Sequence, residues 1–182
     1  MLDSSSNNLI EYVSVSNIGQ EGVHFRCGSS DNTLKSSSIS YTGRDKKDVG
    51  FGEAVYIGTA VSNWNEVDCL ANKPDESNRN RVIENTLGPQ VTAECVDIKE
   101  GTSGGLIQGN TFDGSSLAGE EAHGAISWIN CKGRDYKIVS NKGKNSLKYG
   151  FRVRILNSKF FCFFYFNCFK KILDSKCGHR TI

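Results

Sequence analysis

Four short segments of this 182-residue chain place polar side chains two residues apart around one apolar residue: His24-Phe25-Arg26, Asp97-Ile98-Lys99, Asn130-Cys131-Lys132 and Arg152-Val153-Arg154. Side chains alternate across a β-strand, so the two polar residues of each segment share a face. Asp97 and Lys99 on one face are an acid and an amine within reach of each other. A lysine crowded by other cations has its pKa depressed and can then take a proton, the requirement for removing a hydrogen α to a carboxylate. A nearby cation stabilises the enolate-like charge that results. Lys99 is the candidate base and Arg26 the second catalytic candidate. Glu53 and Glu94 each stand two residues before an apolar Val, and Glu21 recurs at the same offset. With Asp97, the Glu53 and Glu94 oxygens make a candidate set for a hard cation such as Ca²⁺. The competing reading is an exposed Asp97–Lys99 ion pair of little energetic weight and a solvated glutamate column.

These residues need elements to position them, and the chain supplies a repeat. Five segments alternate apolar and polar residues with inward pairs Val23/Phe25, Val55/Ile57, Val96/Ile98, Ile129/Cys131 and Phe151/Val153. A second type, containing Leu9–Asn17, Leu34–Tyr41, Val82–Asn85, Leu106–Asn110 and Ile138–Asn141, is followed by Gly within a few residues. Short period-2 runs bounded by turn residues read as strands with one buried face. The shortest spacing between inward pairs, Ile129 to Phe151, is 22 residues, and longer spacings carry insertions at 44–52, 60–80 and 113–123. Such a period, with two or three strands per turn and Gly/Asn corners, predicts an all-β fold: a right-handed parallel β-helix of about five rungs over residues 1–157. A leucine-rich-repeat solenoid is the runner-up, but its consensus is missing. Asn17, Asn85, Asn110 and Asn141 are expected to stack as a corner amide ladder. Stacking sets two outward columns side by side: His24, Tyr56, Asp97, Asn130, Arg152 and Arg26, Gly58, Lys99, Lys132, Arg154.

Composition agrees with turns and with a packed core. There are 19 Gly against only 2 Pro, with 37% hydrophobic residues. The net charge of +2 makes no overall case for nucleic acid or a membrane surface, and neither is expected as a partner. The charge is uneven, because residues 158–182 hold five Lys/Arg against one Asp, together with six of the ten Phe. The aromatic run from Lys159 to Lys170 is about half the roughly 20 residues needed to span a bilayer, so no membrane span is predicted. An aromatic strand, a surface anchor, a cap over the last rung and foreign sequence from a shifted gene boundary all remain open for this tail. The N-terminus lacks the basic start and apolar stretch of a signal peptide. Cys27, Cys69, Cys95 and Cys131 show no paired zinc spacing, and Cys95 and Cys131 fall in strands as buried thiols. No nucleophile elbow, phosphate loop or HExxH motif occurs.

The segments Gly22 to Asn32, Gly50 to Thr59, Val91 to Thr102 and Leu106 to Gly114 resemble right-handed β-helix proteins of the pectate-lyase-like superfamily, and the resemblance runs from about Asn7 to Asn157. It implies a polysaccharide lyase acting on an acidic glycan by β-elimination, commonly with Ca²⁺ and an Arg or Lys base, or a hydrolase of the same fold. It also implies an extracellular, monomeric protein. Fold does not settle function, and the alternative is a non-catalytic glycan-binding or structural repeat, an incomplete copy of a longer one. In the lyase reading, His24, Tyr56, Asn130, Lys132, Arg152 and Arg154 bind uronate carboxylates. Trp64, in the longest insertion, offers a ring face to a sugar; Trp128 is expected to pack.

Overall fold

The computed structural model describes residues 1–45, 47, 49–154 and 163–165. The chain winds as a right-handed parallel β-helix, three strands to a turn, the hand expected of parallel crossovers. The first turn is β1 (Leu2–Asp3), β2 (Leu9–Glu11) and β3 (Ser14–Ser16). The second is β4 (Val23–Arg26), β5 (Thr33–Lys35) and β6 (Ser38–Ser40), and the third β7 (Val55–Ile57), β8 (Arg81–Ile83) and β9 (Thr86–Leu87). The fourth is β10 (Val96–Ile98), β11 (Leu106–Gln108) and β12 (Thr111–Asp113). The fifth is β13 (Ser127–Cys131), β14 (Lys137–Val139) and β15 (Lys142–Lys144), and β16 (Tyr149–Val153) and β17 (Phe163–Tyr165) begin a sixth. Each strand pairs in parallel with its counterpart one turn away, giving sheets of six, six and five strands.

Register follows from the apolar pattern, because slipping a strand by one residue would turn its hydrophobic side outward. Val23, Val55, Val96 and Ile129 align in one inward column, and Phe25, Ile57, Ile98 and Cys131 in the next. All eight are buried. Leu34, Val82, Ile107 and Ile138 of the second sheet and Ile39, Leu87 and Phe112 of the third complete the core. Each such side chain, fully buried, contributes about 1.5–3 kcal/mol. The pattern weakens at the last turn, where Phe151 is half-buried and Val153 is 39% exposed. Trp128 packs, as expected. Its ring stacks on Phe112 at 6.2 Å and lies over Gly143, where a Cβ would come within 2.9 Å of three ring atoms.

Two amide ladders hold the corners. Asn85 donates from its backbone N and Nδ2 to Asn110 Oδ1, and Asn110 does the same to Asn141 Oδ1. Ser37, not Asn17, continues this ladder in the second turn, its N donating to Asn85 Oδ1. Asn17 lies one residue past β3 with a left-handed φ of 58° and stays exposed, so the expected column was misaligned there. The other ladder runs through Asn8, Asn32 and Asn80, each directly before a strand of the second sheet, a corner that the expected column does not include.

The 60–80 insertion is anchored from within. Buried Asp75 accepts hydrogen bonds from the backbone N of Cys27 and of Gly28 and from the hydroxyls of Thr59 and Ser77. A disulfide joins Cys27 to Cys69, a pairing that the sequence reading did not foresee. Cys95 and Cys131 are buried thiols, as expected. Of the aromatic tail, only Phe163–Tyr165 is described; it pairs in parallel with β14. The other readings of residues 158–162 and 166–182 fall outside the described residues.

Candidate functional site

The outward columns form as read. His24, Tyr56, Asp97, Asn130 and Arg152 are in direct register across five strands of the first sheet. Backbone bonds carry the second column past the strand ends: Gly58 N to Phe25 O, Lys99 N to Ile57 O, Lys132 N to Ile98 O and Arg154 N to Cys131 O, all 2.8–2.9 Å. The last three turns of these columns, with Tyr56, floor a cleft of about 310 Å³. Gly50 and Phe51 of the first insertion, Ala122 and His123 at the end of the third, and Gly124 just after it stand at the side where the strands enter. Ala60, Ser62 and Asn63 of the second stand where they leave.

Charge is divided across this floor. Carboxylate oxygens of Glu53, Glu94 and Asp97 lie within 4.8 Å of one another, and the three residues are only 4%, 5% and 3% exposed. At that separation two unit charges repel by about 3.5 kcal/mol for an effective dielectric near 20. Burial and the charge of Asp97 hold Glu53 well above the usual carboxylate range and push Glu94 up to about 7. Glu53 Oε2 and Asn130 Oδ1 are buried and have no hydrogen-bond partner. Crowded carboxylates with oxygens left over are the donor set of a hard cation, and these residues fit one.

Lys99 closes the cluster, its Nζ 2.6 Å from Asp97 Oδ2 and 4.6 Å from the centre of the Tyr56 ring. Here the sequence expectation needs correcting. Burial lowers the Lys99 pKa, but Asp97 outweighs it and the net shift is upward. Crowding by cations acts on Lys132 instead: burial, with Lys99 alongside, lowers its pKa against the pull of Asp97 and of Glu100, 3.8 Å away. Burial likewise raises the Tyr56 phenol. Both Lys99 and Tyr56 therefore keep their protons at neutral pH.

Nine of the twelve residues singled out in the sequence line the cleft: Tyr56, Lys99, Asn130, Lys132, Arg152, Arg154 and the three acids. Three do not. Arg26 grips Asp3 through two bonds of 2.7 and 2.9 Å, on the far side of Gly58, which has no side chain to continue the cationic column. His24 is buried beneath Tyr56, and Trp64 turns its Nε1 back onto Thr59 O. Phe51 and His123, whose rings lie 6.1 Å apart on the cleft edge, had been missed. Both sit in insertions, where no repeat signals which way a side chain points.

The fold has a solved counterpart. The chain is similar to an alginate lyase. The crystal structure of alginate lyase from Paenibacillus sp. str. FPU-7 superposes with a TM-score of 0.70 and is 36% identical, covering 79% of this chain. The chain spans less than half of that enzyme's length, 45%. No protein-family model matches the chain, and no curated protein does. No helix among the described residues is long and apolar enough to cross a membrane.

Proposed function

We propose that this chain carries the reaction face of a polysaccharide lyase that cleaves an acidic glycan, alginate foremost, by β-elimination. The observation that supports it most is the buried cluster of Lys99, Tyr56 and three carboxylates on the floor of a cleft, beside Lys132, Arg152 and Arg154. In this reaction a base takes the proton α to the uronate carboxylate, the C4–O bond breaks, a double bond forms between C4 and C5, and the departing oxygen receives a proton. Lys99 and Tyr56, in contact at the centre of the floor, are the pair assigned to exchange protons with the glycan. Lys99 is bound to Asp97 at rest. Asp97 first, and Tyr56 after it, raise its pKa, so Lys99 acts as the base once Asp97 is drawn away from it and burial beside Lys132 favours its neutral form. Tyr56, whose ring touches Lys99, is placed to supply the proton to the leaving oxygen. Lys132, Arg152 and Arg154 bind the carboxylates of neighbouring sugars, with Asn130 between them. Arg26 is assigned no part in the reaction.

Glu53, Glu94 and Asp97 are the residues that would hold Ca²⁺, which would supply positive charge to offset the uronate carboxylate. The Cys27–Cys69 disulfide supports an oxidising, extracellular setting.

The test is incubation with alginate, pectate and glycosaminoglycans, with and without Ca²⁺, following ultraviolet absorbance of the unsaturated product. Alginate is expected to give product, and Lys99→Ala to abolish it while glycan binding persists. Binding without product from any of these polymers would replace the lyase with a non-catalytic glycan-binding solenoid. Turnover retained in Lys99→Ala would discard Lys99 as the base.

A further inference from the structure

His24 occupies the place of a substrate ligand in the outward column yet does not reach the cleft. It is 8% exposed, its Nδ1 has no hydrogen-bond partner, and burial lowers its pKa to about 4, so it is neutral under ordinary conditions. Its contacts run in two directions. Nε2 donates to Gly58 O at 2.9 Å, which fixes the plane of the imidazole. Gly58 is itself a rigid anchor: its φ is +84°, and a Cβ there would meet Thr102 Cγ2 at 2.5 Å. On its other side, the His24 ring meets the Tyr56 ring edge to face, with centroids 4.5 Å apart and planes at 73°. Tyr56 in turn faces the Lys99 ammonium, which is held by Asp97. One unbroken line of contacts thus runs from the backbone at Gly58 through His24 and Tyr56 to Lys99.

We infer that His24 is a positioning residue: its ring, packed edge to face, fixes the orientation of Tyr56 against Lys99. This rests on the lyase reading above for its effect on turnover, though not for the contact itself. Alternation of strand side chains explains why it is His24 that does this, because strict register sets its ring directly under Tyr56 one turn away. The aromatic contact, more than the imidazole nitrogens, carries the effect. An edge-to-face pair is worth up to about tenfold in an equilibrium beyond the area it buries.

Three variants separate the contributions: His24→Phe keeps the ring and loses the bond to Gly58, His24→Gln keeps a donor and loses the ring, and His24→Ala loses both. With alginate as substrate, His24→Ala and His24→Gln are expected to lower kcat about tenfold with KM unchanged, and His24→Phe to stay within about threefold of wild type. An NMR readout independent of activity follows the Tyr56 ring resonances, assigned by their loss in Tyr56→Phe. They should shift, and the ring should flip faster, in His24→Ala and His24→Gln but not in His24→Phe. Thermal melts confirm folding, and if His24→Ala does not fold, the Phe and Gln variants carry the comparison. Tyr56 resonances unmoved in His24→Gln, or kcat in His24→Phe as low as in His24→Gln, overturns the inference. Absence of turnover in the wild type overturns the lyase reading alone, since the NMR comparison still decides whether His24 braces Tyr56.

Discussion

Glu94 makes the acid cluster measurable through stability. Its pKa of about 7 in the folded chain stands against 4.5 for an unburdened glutamate, so folding holds its proton more tightly than the unfolded chain does. A raised carboxylate pKa costs stability once the group ionises: below about pH 4.5 both states are protonated and nothing is lost, and between 4.5 and 7 stability falls as pH rises. The difference amounts to roughly 3 kcal/mol by pH 8. Glu94→Gln removes this titration and relieves Asp97 and Glu53 of a neighbouring charge. Urea unfolding at pH 5 and pH 8 should show the two proteins alike at pH 5 and Glu94→Gln more stable at pH 8 by about that amount. Ca²⁺ at pH 8 should restore stability to the wild type, by about 2.7 kcal/mol at one hundred times its Kd, and much less to Glu94→Gln. An equal difference between the two proteins at both pH values would refute the reasoning, because the carboxylate would then not be titrating between them.

Further outcomes concern the scaffold and the cleft. Asn110→Ala removes the acceptor of two Asn85 donors and one donor to Val82 O, so urea unfolding should show a loss of about 2–5 kcal/mol. Replacing Cys27 and Cys69 together with Ser opens a 42-residue loop, and thermal or urea unfolding should show about 2–4 kcal/mol less stability. The rungs should survive that change, because Asp75 still ties the insertion to Cys27 N and Gly28 N. Arg152→Ala and Arg154→Ala should weaken binding of alginate oligomers and flatten its dependence on salt, measured by calorimetry at two ionic strengths.

Period-2 alternation carried most of the fold and much of the site. Val55, Ile57, Val96 and Ile98 had to share one side of their strands, so Tyr56, Asp97 and Lys99 had to share the other. Glu53 and Glu94 were legible for the same reason, being two residues before Val55 and Val96 and therefore stacked. Where the repeat lapses, legibility lapses too. Asn17 has the right residue type at the wrong corner, Phe51 and His123 sit in insertions that obey no period, and Cys69 gives no sign of its distance from Cys27.

The amino-acid sequence by itself determined which residues share a column, because alternation and a repeating period are properties of spacing. Only the tertiary structure decided what each column does, because exposure and electrostatics depend on what the insertions cover and which charges end up within a few ångströms. Stacking alone would depress the pKa of Lys99, but Asp97 at 2.6 Å raises it, and the depression falls on Lys132. Arg26, spaced like the other cations, is drawn to Asp3 instead of the cleft. His24, spaced like a ligand, is buried and becomes the support of one.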